Sequence, residues 1–170
     1  MNSKTFALAT VFLILLSILF TASAGKGERV VYGYNPGDML QRIKVEGETV
    51  ALSSESADGE SSSVVHFWSV EDAKSRLTNA LLSKRFKGLD VNFVSICIDG
   101  SLRDMEQCLA LDGIDTENSS NKYLQLNDYR TLSRDFEVKK GRTKTFLVSA
   151  SGIIEEVFSN EEAWKAYSGL

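Results

Sequence analysis

Two uninterrupted apolar runs, separated by one helix-length segment, constrain this chain more than any other feature. "VVHFW" (residues 64–68) and the apolar part of "LDVNFVSICID" (residues 89–99) are bounded by polar and glycine-containing stretches. Runs of this kind suit strands buried on both faces. Between them Val70, Ala73, Leu77, Ala80 and Leu81 recur at helical spacing as far as Phe86, and Gly88 stops the helix. Strand, helix and strand of this length imply a right-handed crossover and a parallel strand pair. In the second run, period two places Val91, Phe93, Ser95 and Cys97 on one face and Val94, Ile96 and Ile98 on the other.

The flanking sequence extends this unit. Upstream, "VVYGY" alternates weakly, and Leu40, Ile43 and Val45, then Val50 and Leu52, alternate around Gly47, which predicts a leading β-hairpin. The serine-rich "SSESADGESSS" reads as a surface connector. Downstream, Ser101 is positioned to cap a helix with the stripe Leu102, Met105 and Leu109. "DTENSSNK" reads as a loop and "YRTLSRDF" as a short helix carrying Leu132 and Phe136. "TKTFLVSASGIIEEVF" predicts two strands around the turn Ser151-Gly152, and Asn160 is placed to cap a last helix anchored by Trp164 and Tyr167. A parallel unit followed by an antiparallel hairpin predicts an α/β fold, a mixed central sheet with helices on both faces and an N-terminal β-hairpin extension.

The first 24 residues stand apart. Lys4 precedes an apolar core from Phe6 to Ala22, and Ala22-Ser23-Ala24 is a small-residue cleavage pattern. The core exceeds the ~7–15 residues usual for a signal peptide, so cleaved leader and uncleaved anchor are both readings of residues 1–24. Either places the globular part, residues 25–170, outside the cytoplasm, as one domain of ordinary size. The formal net charge of -4 gives no support to nucleic acid or an anionic surface as partner. Membrane contact is expected only through an uncleaved N-terminal anchor.

"VVHFWS", "TKTFLVSASGII" and "GDMLQRIKVEGETVALS" together resemble the thioredoxin-like family, in particular the exported, cytochrome-c-maturation branch of thiol-disulfide oxidoreductases. The family pattern is an apolar strand ending Phe-Trp, then Ala-x-Trp-Cys-x-x-Cys opening a long helix. Later comes Pro-Thr-x-Phe-Leu-Ile-Asp with a glycine turn and another strand. The resemblance covers nearly all of residues 25–170 and implies a thioredoxin-like fold. It departs where the chemistry lies. The family's active-site Trp falls on Glu71, its first Cys on Asp72, the intervening residues on Ala73 and Lys74, and its second Cys on Ser75. Its cis-proline falls on Thr143, and a cis bond without proline costs about 2.5–4 kcal/mol, so Arg142-Thr143 is expected to be trans. Both halves of the redox site are missing together.

Disulfide exchange needs a thiolate, which a helix N-terminus stabilises for cysteine and cannot create from Asp or Ser. Ser69-x-x-Asp72 instead fits a capping box, with Glu71 adding charge to the first turn; a binding role for Asp72, Lys74 and Ser75 is the sharper alternative. A Ser75–Lys74 hydrolytic dyad is disfavoured because adjacent helical residues point ~100° apart. His66, the sole histidine, lies on the strand face of Trp68 and reads as structural. One histidine with scattered carboxylates predicts no metal site, and no cofactor or catalytic residue is assigned. Cys97 and Cys108 remain open between a structural disulfide, two free thiols and a redox-active pair. The leading expectation is a non-catalytic binding or scaffolding module of the cell envelope or periplasm with a protein partner. The alternative is an oxidoreductase or redox sensor using Cys97 and Cys108.

Overall fold

The computed structural model describes residues 33–45, 48–52, 61–117 and 119–168. The N-terminal apolar segment, Val30 and Val31, Gly47 and most of the serine-rich connector lie outside the described residues, as do the side chains of Trp164 and Tyr167.

The elements, in chain order, are β1 (Arg42–Val45), β2 (Glu48–Ala51), β3 (Ser63–Trp68), α1 (Ala73–Phe86), β4 (Asn92–Cys97), α2 (Leu102–Leu111), β5 (Lys122–Gln125), α3 (Tyr129–Arg134), β6 (Lys144–Val148), β7 (Ile154–Ser159) and α4 (Asn160–Ser168). The central sheet runs β5-β4-β3-β6-β7. β3 and β4 are parallel, as the crossover requires, while β6 and β7 run antiparallel. β1 and β2 pair as a separate antiparallel hairpin with Ile43 opposite Val50. The mixed sheet and leading hairpin are therefore those expected from the alternation of apolar residues.

Strand period two sorts the core. Val65 and Phe67 of β3 with Val94 and Ile96 of β4 join Ile43, Val50, Leu132, Phe136 and Phe146 in one cluster, beneath the hairpin and α3. The opposite faces of β3 and β4 meet α1 and α2: Trp68, Cys97, Met105 and Leu109 form one cluster, Val64, Leu82, Phe86 and Phe93 another. Between these two apolar clusters His66, Ser95 and Thr145 stand side by side on three neighbouring strands. The hairpin is tied on through Leu40, whose N–H donates to Gly152 O at 2.7 Å. At Gly152, φ is +83° and a Cβ would lie 2.7 Å from the Gln41 side chain, so only glycine fits this crossing without displacement.

Four details of the sequence reading are corrected. The stripe predicted for α1 is rotated: Leu77 is 61% exposed, and Ser75, Thr78, Asn79, Leu82, Ser83 and Phe86 face inward. Polar residues can hold this face because much of it is hydrogen bonded; Asn79 Oδ1, for example, accepts from Ser95 Oγ at 2.7 Å. Leu102 on α2 is exposed, leaving Met105 and Leu109 as its buried stripe. β5, which starts at the last residue of the predicted loop, was not predicted, because "KYLQ" is too short and too half-exposed to show a strand period. Ser159, rather than Asn160, caps α4: its N–H donates to Glu162 Oε2 at 2.8 Å, and its Oγ accepts from Glu162 N at 3.4 Å.

Candidate functional site

The C-terminal ends of β3 and β4 lie side by side, and a short turn carries the chain from Trp68 into α1. One carboxylate organises that turn. Asp99, just beyond β4, accepts from Ser69 Oγ at 2.6 Å and from Val70 N at 2.8 Å. Ser69 does not form the predicted capping box: its Oγ accepts from Glu71 N at 3.2 Å, while Asp72 N donates to the Ser69 backbone carbonyl at 3.3 Å. Asp72 is the N-cap, its Oδ1 accepting from Lys74 N at 3.0 Å. Glu71 falls before the helix, where it pairs with Lys140.

Residues 72–75 have separate environments. Asp72 stands at the mouth of the helix, Ala73 is exposed, and Lys74 extends outward with Nζ 3.6 Å from the Glu161 carboxylate on α4. Ser75 is fully buried; its Oγ accepts from Ser69 N at 3.0 Å and donates to Asp72 O at 3.1 Å. That committed hydroxyl and the outward lysine make no hydrolytic dyad. Thr143, seventy residues along, comes into the same place: Asp72, Lys74 and Thr143 line a cavity of about 510 Å³ with Leu77, Leu81, Arg142 and Glu161. No described peptide bond is cis, so Arg142-Thr143 is trans.

The sequence reading singled out Asp72, Lys74 and Thr143 but missed Leu77 and Leu81 as cavity walls, and Arg142 and Glu161 as its charged rim. The two leucines carried a signal, misassigned to the core; Arg142 could have been found as the neighbour of Thr143. Glu161 carried none. Thr143 Oγ1 and Asn160 Oδ1, in walls of this cavity, make no hydrogen bond.

Beneath the site lies the polar band. His66 is fully buried with Nδ1 2.8 Å from Thr145 Oγ1, and burial lowers its pKa to about 4, the Ser75 backbone opposing the shift. The imidazole is thus neutral at ordinary pH. Cys97 is buried, its Sγ donating to Asp99 O at 3.1 Å, and burial pushes its thiol up to about 12. Cys108, half-buried on α2, packs against the same Trp68 cluster. Both are free thiols, and neither lines the cavity at Asp72. Among the described residues no group of three or more His, Cys, Asp or Glu is placed to hold a metal ion. The arrangement offers hydrogen bonds, two charges of each sign and an apolar wall, which is equipment for binding.

No protein-family model and no curated protein sequence matches the chain. Solved structures do. A thioredoxin-like protein from Parabacteroides distasonis superposes with a TM-score of 0.60 at 22% identity, covering 80% of this chain and 96% of that one. The thioredoxin domain of a thiol-disulfide oxidoreductase from Bacteroides vulgatus gives 0.56 at 17% identity, covering 81% and 98%. The peroxidoxin BcpB from Mycobacterium tuberculosis gives 0.54 at 19%, covering 79% and 92%. The fold of this chain is thioredoxin-like.

Proposed function

We propose that this chain is a non-catalytic thioredoxin-like binding module of the cell envelope or periplasm, with the cavity between α1, the 141–143 segment and α4 as its docking site. One observation carries the reading. The helix N-terminus that would activate a thiol presents Asp72 at its mouth, with Ser75 buried behind it, and the cavity that Asp72 lines has no sulfur in its wall. Of the two thiols, Cys97 is turned inward, fully buried with its pKa raised to about 12, and the half-buried Cys108 lies outside that cavity. The apolar N-terminal segment with its Ala22-Ser23-Ala24 pattern supports export. No described helix is long and apolar enough to cross a membrane.

The test is the reduction of insulin disulfides by dithiothreitol with the purified protein added. The expected rate equals the uncatalysed one. Acceleration that disappears in Cys97→Ser or Cys108→Ser would replace this reading by a redox one built on those two cysteines.

A further inference from the structure

A second concavity lies away from the Asp72 cavity, at the other end of α1. It measures about 240 Å³ and is walled by Ser83, Lys84 and Lys87 from α1 and its C-cap, by Gly113, Ile114 and Asp115 after α2, and by Ser119 and Tyr123. Ser83 is eleven residues beyond Asp72, ~17 Å along the helix axis. We propose that this concavity binds a small tetrahedral oxyanion, inorganic phosphate or a phosphate monoester.

Its wall leaves several hydroxyl hydrogens uncommitted. Ser83 is 4% exposed, yet its Oγ makes no hydrogen bond. Its backbone carbonyl is occupied, accepting from Asn121 Nδ2 at 3.0 Å. The same amide donates to Tyr123 Oη at 3.3 Å, which leaves the phenolic hydrogen uncommitted. Ser119 Oγ accepts from Asn121 N at 3.1 Å, leaving its hydroxyl hydrogen likewise. Asn121 thus occupies one acceptor position on each of two hydroxyls and leaves the hydrogen of each free to donate, while its own unpartnered Oδ1 is not part of the wall. Lys84 adds an exposed ammonium in the last turn of α1. Lys87 contributes a second, 3.7 Å from Asp115 Oδ2, the one carboxylate on the wall. Three hydroxyl donors and two ammonium groups around so small a space call for an acceptor-rich anion. The volume lies below the roughly 300–1,000 Å³ of pockets that hold drug-sized ligands, which restricts the occupant to a small group.

Inorganic phosphate titrated into uniformly ¹⁵N-labelled protein, with chloride holding ionic strength constant, tests the proposal. Saturable amide shifts confined to residues 83–87, 113–115 and 119–123 are expected, weakened at least tenfold in Ser83→Ala/Tyr123→Phe and severalfold in Lys84→Gln. Lys84 is exposed, so its substitution keeps the test independent of folding. Co-sedimentation with phosphatidic acid vesicles, lost in the same variants, would assign the phosphate to a lipid headgroup instead of a free ester. Absence of both responses, or shifts that survive all three substitutions, overturns the site.

Discussion

At the scale of single residues, burial determines behaviour more than residue type does. His66 would titrate near 6.5 in the unfolded chain and titrates at about 4 when folded. A depressed histidine pKa contributes stability that is complete above the unfolded value and is lost as pH falls from 6.5 towards 4. The loss is at most about 3 kcal/mol. Urea midpoints of the wild type are expected to fall across that window while those of His66→Gln stay comparatively flat. The depressed carboxylates Asp104, Asp128, Glu137 and Glu162 lose their contribution lower, as pH drops below the ordinary carboxylate range, so they do not mimic this signal. Cys97 gives the second residue-scale prediction. With its thiol raised to about 12 and its side chain buried, native protein at pH 7.5 should resist iodoacetamide at this position until denaturant opens the core. Prompt alkylation of Cys97, located by peptide mass, would contradict the inward placement.

At the scale of elements, the start of α1 is a joint between two strands and a helix. Asp72→Ala should cost about 1 kcal/mol through loss of the cap to Lys74 N, whereas Asp72→Asn should be near neutral because asparagine caps equally well. Thermal melts of the pair separate a capping role from one that needs the charge. Asp99 matters more. Asp99→Ala removes two hydrogen bonds and leaves Val70 N and Ser69 Oγ without that acceptor, a loss of about 2–4 kcal/mol in urea unfolding. The far side of α1 is bound to α2 by Arg76, whose Nε and Nη2 reach Asp112 at 3.2 and 2.6 Å. That fork-like pair fixes the two helices that enclose the Trp68 and Cys97 cluster.

At the scale of the whole molecule, the leading hairpin belongs to the main core. Ile43, Val45 and Val50 are buried in the cluster that also holds Phe67, Val94 and Phe146 of the central sheet. Ile43→Ala should therefore destabilise the molecule by about 2–5 kcal/mol. Near- and far-ultraviolet circular dichroism should report one shared, lowered transition; an early separate transition of the hairpin would show that it folds independently. The binding proposal also belongs to this scale, because its cavity takes residues from α1, from the segment before β6 and from α4.

The strand faces were legible in the amino-acid order alone. Period two in "VVHFW" and "NFVSIC" assigns each side chain to one side of the sheet, and a one-residue error would expose an entire apolar set. The crossover and both hairpins followed from the same patterns. The inward face of α1 was not legible, because Ser75 and Asn79 are held inside by Ser69, Asp72 and Ser95, partners that apolar periodicity does not count. Nor was the cap, since the turn held to Asp99, thirty residues distant, places Asp72 rather than Ser69 against the first free N–H of the helix. The meeting of Asp72, Arg142 and Glu161 around one cavity was likewise decided by the tertiary structure. Apolar burial acts through a short local repeat, whereas hydrogen-bond competition and cavity shape depend on groups that only the closed fold brings together.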